Sequence, residues 1–365
     1  MALVELECCT LCEHRCGVNR LAGETGVCRT TTPVVASATL HPAPPSSYTV
    51  FLAGCNFKCL NCQNWSISCY PDIEAGVRGY VDPAVLAAEC VDRLFSLEGA
   101  LIGADRIFFS GGAADIHLPY VEEVVRRARL LRPETKVNFD TNGYLTEESF
   151  ERVLALTTSV TFDIKAFDDE VHRALTGASV APVLRNAELI GSEHADQLWE
   201  YRVLVIPEIT DTQVRPICDF IASIDRALPV CFLAFRPNYV LERHPWADVV
   251  LMENCVDTAR GAGLSNACWT GHTGLPGGPL PPVDPELTDI FSGAASLLAA
   301  TFAARAGCGT HPRDCRRCEV ACGMRSFVPL RTTYPALFTR YLVRPQICTP
   351  SRPSSQLAIL DVPSS

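Results

Sequence analysis

The chain has 365 residues, a formal net charge of −10 and a hydrophobic fraction of 48%. This composition supports a folded core and argues against a disordered chain, and the acidic balance argues against a general nucleic-acid or membrane-surface binder. No secretory signal is predicted, and the longest apolar run, 290–304, is too short to span a bilayer. We therefore expect a cytoplasmic protein with no nucleic-acid or membrane partner, in which residues 290–304 form a core helix.

Short apolar runs alternate with amphipathic helical stretches over most of the chain. The predicted strands are Tyr48–Ala53, Arg106–Ser110, Lys136–Asp140, Ser159–Ile164, Glu200–Ile206, Val230–Phe235 and Ser265–Trp269. Repeated strand–helix units predict a parallel sheet with right-handed crossovers. About six such units predict an α/β fold with a partial (β/α)6 TIM-like barrel, rather than a closed barrel of eight, with cysteine-rich appendages at both ends.

Capping residues mark the starts of several predicted helices. Asp82 followed by Pro83 is typical of a capped helix with proline in its first turn. Thr146 is expected to cap the helix that follows the third strand. Thr210 and Gln213 have the spacing of a capping box for the helix after the fifth strand.

Cysteine is unusually frequent, with 19 in the chain. In a reducing compartment, clustered cysteines indicate metal or redox chemistry rather than disulfides. Three groups are dense enough to be metal sites: Cys8, Cys9, Cys12, Cys16 and Cys28; Cys55, Cys59 and Cys62; and Cys308, Cys315, Cys318 and Cys322. Most of the remaining cysteines are expected to be small core hydrophobes.

The middle group has the spacing C-x3-C-x2-C and follows the first predicted strand, so it lies at the edge of the sheet where parallel α/β folds place their sites. Thiolates select zinc, copper(I) or iron–sulfur clusters, and a structural zinc ion normally has four ligands. A [4Fe–4S] cluster held by three thiolates leaves one iron open to a substrate or cofactor. The alternative is a zinc site completed by a distant histidine or cysteine.

The stretch Phe51–Trp65 resembles the cluster loop of the radical S-adenosylmethionine superfamily, in particular its branch of pyruvate formate-lyase activating enzymes. The resemblance runs from about Cys9 to Pro237. It implies that the open iron chelates S-adenosylmethionine, which one electron from a donor such as flavodoxin or ferredoxin cleaves to methionine and a 5′-deoxyadenosyl radical. The radical then abstracts hydrogen from a protein, peptide or small-molecule substrate. The cofactor supplies this chemistry while the protein orients it, and no catalytic side chain is assigned.

The resemblance also implies cofactor contacts at the ends of the predicted strands, from Gly111, Gly112, Asp140, Thr141, Asp163, Lys165 and Arg202. The glycine turn corresponds to the methionine end of the cofactor, and the two aspartates to a monovalent-cation site near its carboxylate. Lys165 would complement that carboxylate in charge, and Arg202 would line the nucleoside. For the aspartates, helix capping and loop solvation are the alternative interpretation.

Two positions depart from the family pattern. Ala113 stands where a glutamate usually binds the amino group of the cofactor, and Asp115 is the nearest acid. Asn61 stands where an aromatic residue usually packs near the adenine. These departures imply that cofactor binding is altered in detail, and they leave an unusual cleavage of the sulfonium open.

The outer cysteine groups each offer four thiolates. The N-terminal group, C-x2-C-x3-C-x11-C, resembles a segment that precedes the barrel in several activating-enzyme relatives, and zinc or a second cluster both fit it. We expect a structural role for this group. Cys8 and His14 are spare candidate ligands, although a solvated loop position is expected for His14. The C-terminal group, C-x6-C-x2-C-x3-C, lies in an arginine-rich segment. It is predicted to hold an auxiliary iron–sulfur cluster, with zinc as the competing occupant.

The predicted organisation is a cysteine-rich segment at 1–40, the barrel at 41–273, a cysteine- and arginine-rich appendage at 274–345, and a loose tail at 346–365. Two alternatives to a general radical enzyme remain open. One is the specific activation of a glycyl-radical enzyme, and the other is a non-catalytic iron–sulfur electron carrier or zinc scaffold. The sequence does not identify the substrate.

Overall fold

The structure is a computed structural model that describes residues 3–72, 75–274, 280–283 and 285–306. The predicted C-terminal cluster of Cys308, Cys315, Cys318 and Cys322 and the predicted tail at 346–365 lie outside the described residues. Of the helices that the structure describes, none has the length and hydropathy that crossing a membrane requires.

Among the described residues, eight strands form one sheet and are hydrogen-bonded in chain order. They are β1 (Val35–His41), β2 (Ser47–Leu52), β3 (Arg106–Gly111), β4 (Lys136–Thr141), β5 (Ser159–Asp163), β6 (Leu198–Val205), β7 (Val230–Ala234) and β8 (Ala267–Thr270). The pairs β2–β3, β3–β4, β6–β7 and β7–β8 are parallel, whereas β1 runs antiparallel to β2. The predicted α/β class with a partial TIM-like barrel is confirmed, and β1 is an additional edge strand that was not predicted.

Ten α-helices accompany the strands: α1 (Trp65–Ser68), α2 (Pro83–Leu94), α3 (Leu97–Leu101), α4 (Leu118–Leu131), α5 (Glu147–Leu156), α6 (Asp169–Thr176), α7 (Ala181–Glu193), α8 (Val214–Ile224), α9 (Val249–Gly261) and α10 (Ala294–Ala306). This count covers the described residues. The predicted core helix in the apolar run at 290–304 is confirmed by α10, whose central residues are buried.

Two of the three predicted helix caps are confirmed. The side chain of Asp82 accepts a hydrogen bond from the Ala84 backbone at 2.8 Å, and that of Thr146 accepts one from Ser149 at 3.3 Å. The capping box at Thr210 is wrong, because its hydroxyl donates to the Leu204 carbonyl at 2.6 Å and accepts from the Ile206 amide at 2.7 Å. Tertiary contacts at the end of β6 therefore take the hydroxyl that the local pattern assigned to the helix.

The described residues form two compact units. The first contains residues up to 56 together with 64–160, and its core is built on the fully buried apolar side chains of β2, β3 and β4. Both faces of these strands are buried, which is why they appear in the sequence as continuous apolar runs. In contrast, the side chains of β1 beyond its first two residues alternate between exposed and half-buried.

The second unit contains residues 57–63 and the described residues from 161 onward, with β6 to β8 and α6 to α10. Its apolar core includes Val203, Ile217 and Phe232, all fully buried. The start of α10 is held by Glu170 of α6, whose carboxylate accepts hydrogen bonds from the backbone amides of Ser292 at 3.1 Å and of Gly293 at 3.3 Å. A carboxylate at this end of a helix also interacts favourably with the helix dipole.

Candidate functional site

The first unit brings the start of the three-cysteine loop together with the glycine turn that follows β3. Strand β2 ends at Leu52, and Cys55 is buried three residues later. The Gly112 amide donates to the Leu52 carbonyl at 2.8 Å, and the Ala113 amide donates to the Gly54 carbonyl at 2.9 Å. These two bonds continue the β2–β3 pairing beyond the strands and fix the backbone on which Cys55 stands.

The two predicted glycine contacts have a structural reason to be glycine. A Cβ atom on Gly111 would lie 2.2 Å from the Leu52 carbonyl oxygen, and one on Gly112 would lie 2.0 Å from the Gly54 carbonyl oxygen. Real side chains do not approach backbone this closely. Both glycines are thus needed for the approach of two backbone segments, and their contact with a cofactor stays a prediction.

The second unit carries the other two cysteines of the loop, Cys59 and Cys62, both half-buried. Backbone hydrogen bonds hold the chain around Cys59 to the end of α6. The Lys58 amide donates to the Thr176 carbonyl at 2.7 Å, and the Leu60 amide donates to the Leu175 carbonyl at 3.0 Å. Burial raises the pKa of Cys59 to about 12, an effect that the nearby Lys165 ammonium partly opposes. The loop cysteines are soft ligands held at fixed backbone positions, and a metal would have to displace their thiol protons.

The end of β4 carries two of the predicted cofactor residues, Asp140 and Thr141, in the first unit. The Ser110 hydroxyl donates to the Asp140 carboxylate at 2.6 Å, and the Thr141 hydroxyl donates to that of Asp115. Asp115 is fully buried, and its second carboxylate oxygen has no hydrogen-bond partner among the described residues. The acid nearest to Ala113 therefore lies beneath the strand end and supports Thr141.

Burial raises the pKa of Asp115 to about 7, because the carboxylate loses hydration and lies near Asp140. A raised pKa means that the folded state holds the proton more tightly than the unfolded chain, in which an aspartate titrates at about 3.9. The contribution of this carboxyl group to stability is therefore complete below about pH 4 and is lost as the pH rises through about 7.

Replacing Asp115 with asparagine should stabilise the protein at pH 8 by a few kcal/mol, and by much less at pH 5, because the amide cannot ionise. Urea unfolding at the two pH values measures the difference. The exposed Asp92→Asn variant is the control and should give the same change at both pH values. An Asp115→Asn effect independent of pH would show that the carboxyl group does not titrate in this range.

The charged residues predicted from β5 and β6 are ion-paired within the second unit. The Lys165 ammonium lies 2.7 Å from the Asp163 carboxylate, and the Arg202 guanidinium lies 2.7 Å from the Glu200 carboxylate. All four side chains are about one-fifth exposed or less. Asp163 therefore already has a cationic partner from its own chain, two residues away, and its predicted contact with a monovalent cation stays a prediction.

The N-terminal cysteines Cys9, Cys12, Cys16 and Cys28 line one small cavity of ≈ 20 Å³ in the first unit. Burial raises the pKa of Cys12 well above its ordinary value and also raises that of Cys16. Within the part of the chain that the structure describes, no three histidine, cysteine or carboxylate side chains already stand as a metal-binding group. The backbone thus gathers the four thiols around one cavity, and ligation would require their side chains to rotate.

His14 was expected in a solvated loop, and this expectation is wrong. Its ring is half-buried, its Nε2 donates to the Asn56 carbonyl at 3.0 Å, and it packs 4.9 Å from the Tyr144 ring. Sequence reasoning also missed Asn142, whose amide donates to the Asn56 side chain at 2.7 Å. Both contacts hold the residue that follows Cys55.

The cysteines outside the groups agree in part with the expected core positions. Cys90, Cys218, Cys231 and Cys255 are buried, Cys69 is half-buried, and Cys268 is exposed. None of the cysteines among the described residues forms a disulfide. The loop and N-terminal groups therefore consist of thiols rather than disulfides.

Comparison with known proteins gives one family match and several named relatives. Residues 49–221 match the family described as the Radical SAM superfamily. An uncharacterized protein of Methanocaldococcus jannaschii is 28% identical over 250 residues, which cover 65% of this chain and 68% of the relative.

The relatives with named activities include two lyase activating enzymes. The isethionate sulfite-lyase activating enzyme of Oleidesulfovibrio alaskensis is 31% identical over 153 residues, or 40% of this chain and 49% of that enzyme. The pyruvate formate-lyase 1-activating enzyme of Escherichia coli is 23% identical over 210 residues, or 56% of this chain and 78% of that enzyme. Among solved structures, a domain of a pyruvate formate-lyase-activating enzyme from Bacteroides vulgatus matches with a TM-score of 0.40 and 18% identity, covering 46% of this chain and 100% of that domain.

Proposed function

Residues 49–221 place this chain in the radical SAM superfamily, among proteins similar to pyruvate formate-lyase activating enzymes, and from this premise we propose that it cleaves S-adenosylmethionine reductively at a [4Fe–4S] cluster. The observation that carries the proposal is the loop of Cys55, Cys59 and Cys62, which lies inside the matched residues and directly follows a parallel strand. Three soft thiolates within eight residues fit a cluster with one open iron, whereas a closed zinc site would need a fourth ligand.

The cluster, when reduced, supplies the electron that converts the bound cofactor to methionine and a 5′-deoxyadenosyl radical. The protein supplies the three thiolates, and the backbone contacts of Gly112 and Ala113 fix where the first of them stands. In this proposal, Gly111 and Gly112 contact the methionine end of the cofactor. The Asp163–Lys165 ion pair lies near the carboxylate of the cofactor. Asp140, Thr141 and Arg202 complete the contacts, with a monovalent cation bound by the two aspartates.

The substrate that we favour is a polypeptide, because two of the relatives are named as activating enzymes of other proteins. The 5′-deoxyadenosyl radical would abstract a hydrogen atom from that polypeptide. Activation of a glycyl-radical enzyme is the narrower form of this proposal, while other peptides and small molecules remain alternatives. A flavodoxin or ferredoxin would supply the electron. Binding of the cofactor's amino group must differ from the family pattern, because Ala113 has no carboxylate and Asp115 is buried.

The test is anaerobic reconstitution of the full chain with iron and sulfide, followed by addition of dithionite and S-adenosylmethionine. We expect 5′-deoxyadenosine and methionine in equal amounts, quantified by liquid chromatography and mass spectrometry, and no product without the reductant. A protein that carries the cluster and binds the cofactor, yet yields neither product nor an isomeric cleavage product, would contradict the proposal.

A further inference from the structure

Arg20 is a buried cation in the first unit, and among the described residues no carboxylate pairs with it. Its side chain is 1% exposed. The guanidinium donates to the carbonyls of Ile116 at 2.6 Å and Thr31 at 2.9 Å, and to the Thr30 hydroxyl at 3.2 Å. Its Nη1 also lies 3.7 Å from the Cys9 sulfur. Carbonyls satisfy the hydrogen bonds but not the charge, and a buried charge is costly unless an opposite charge is near it.

A second hydrogen-bond donor approaches the same cysteine group. The Thr30 hydroxyl, which accepts from Arg20, donates in turn to the Cys28 sulfur at 3.3 Å. The guanidinium and hydroxyl donors thus approach the sulfur atoms of two cysteines that line the cavity. Such donors stabilise a thiolate, which carries a negative charge, better than a neutral thiol. Cysteines bind a metal ion as thiolates.

The size of the cavity indicates which occupant fits. Its volume is ≈ 20 Å³, and one water molecule needs about 10–15 Å³ by the same measure. A single ion therefore fits this space with the backbone as it stands. The rest of the lining keeps the cavity apolar apart from the cysteines and Arg20, and it consists of Leu11, Val18, Gly26, Val27 and Ile116.

We propose that Cys9, Cys12, Cys16 and Cys28 bind one tetrahedral zinc ion, and that Arg20 supplies its counter-charge. The four side chains rotate toward the cavity centre, and each thiol releases its proton to solvent as the sulfur binds zinc. Arg20 is a positioning residue, because it acts on the ion through the Cys9 sulfur and, by way of Thr30, the Cys28 sulfur.

The zinc site also fixes the backbone on both sides of Cys55, an inference that rests on the proposed function. On one side, a Cβ atom on Gly54 would lie 2.2 Å from the Thr30 methyl group and 3.5 Å from the Cys28 carbonyl oxygen. On the other side, His14 donates to the carbonyl of Asn56. Both contacts come from the segment that carries the zinc ligands, so loss of zinc should loosen the first cysteine of the cluster loop.

The first test is metal analysis of the full-length variant in which Cys55, Cys59 and Cys62 are all alanine. We expect the N-terminal cysteine group to bind one zinc ion per chain, with four sulfur neighbours at about 2.3 Å in X-ray absorption spectra. Adding Cys9→Ala and Cys16→Ala should remove that zinc, whereas adding Cys8→Ala should not, because Cys8 is exposed beside the group. Zinc content that is unchanged by the Cys9 and Cys16 substitutions, or iron with sulfide at this site, overturns the proposal. This result does not depend on cofactor cleavage, so it stands or fails apart from the proposed function.

The second test addresses Arg20 and does not require a variant that loses a ligand. Wild-type, Arg20→Lys and Arg20→Met proteins are titrated with a zinc chelator, and the zinc retained is measured together with circular dichroism. Arg20→Met should lose zinc at about a tenfold lower chelator concentration, since residues behind metal ligands typically affect affinity by this factor. Arg20→Lys should recover part of the difference because it keeps the charge. Equal zinc retention in all three folded proteins would remove Arg20 from the site.

Discussion

Replacing Cys55, Cys59 and Cys62 together with alanine should reduce 5′-deoxyadenosine formation to the rate measured without protein. The three thiolates are the whole protein ligand set that we propose for the cluster, so their loss should leave it without a protein ligand. The measurement is product formation under dithionite, together with iron per chain and the visible absorption of the reconstituted protein.

The control for this experiment is the double variant Cys8→Ala and Cys268→Ala. Both side chains are exposed and neither is among the proposed cluster ligands, so this variant should retain wild-type activity. Equal rates of product formation in the triple variant and in the wild type would place the cofactor chemistry elsewhere in the chain.

Replacing Gly112 with alanine should unfold or displace the backbone at the start of the cluster loop. The added Cβ would meet the Gly54 carbonyl at 2.0 Å, and the same carbonyl accepts the Ala113 amide at 2.9 Å. Neither backbone segment can yield as a flexible side chain would. We expect a loss of unfolding free energy of about 3 kcal/mol, at the upper end of overpacking effects, and a several-fold loss of iron after reconstitution.

A matched control is Gly261→Ala at the end of α9, where no atom lies within 4 Å of the added methyl group. This change should be neutral or stabilise the protein by up to about 1 kcal/mol, because alanine favours the helix. Urea unfolding and iron analysis of both variants provide the comparison. If Gly112→Ala unfolds and binds iron as Gly261→Ala does, the glycine turn does not hold the loop.

The parallel strands could be predicted because they are buried on both faces, so each appears in the sequence as a continuous apolar run. The antiparallel strand Val35–His41 was not predicted, because its side chains beyond the first two alternate between exposed and half-buried and so form no continuous apolar run. The failed capping box has a different cause. Thr210 had the right local spacing, but a contact with the end of β6 determined its hydrogen bonds.

The candidate site also has features that the sequence could predict and features that it could not. The cysteine spacings and the glycine turn are local patterns, so the sequence could single them out. The partners of these residues are not local. Asn142 contacts Asn56 across 86 positions, and Arg20 contacts Ile116 across 96. An arginine in a polar loop is expected at the surface, so nothing in its neighbourhood along the chain signals that Arg20 is buried beside a sulfur atom.

The pairing of the N-terminal segment with the loop after β4 sets an order of events during synthesis. Leu11 accepts hydrogen bonds from Thr146, a residue made 135 positions later, and Glu13 donates to the Tyr144 carbonyl at 3.1 Å. At about 5–20 residues per second, the ribosome needs roughly 7–27 s to add that length of chain. For at least this interval the N-terminal segment lacks the loop to which it is hydrogen-bonded in the folded chain. We therefore expect its thiols to be most open to oxidation, or to capture of the wrong metal, until residue 146 has left the ribosome.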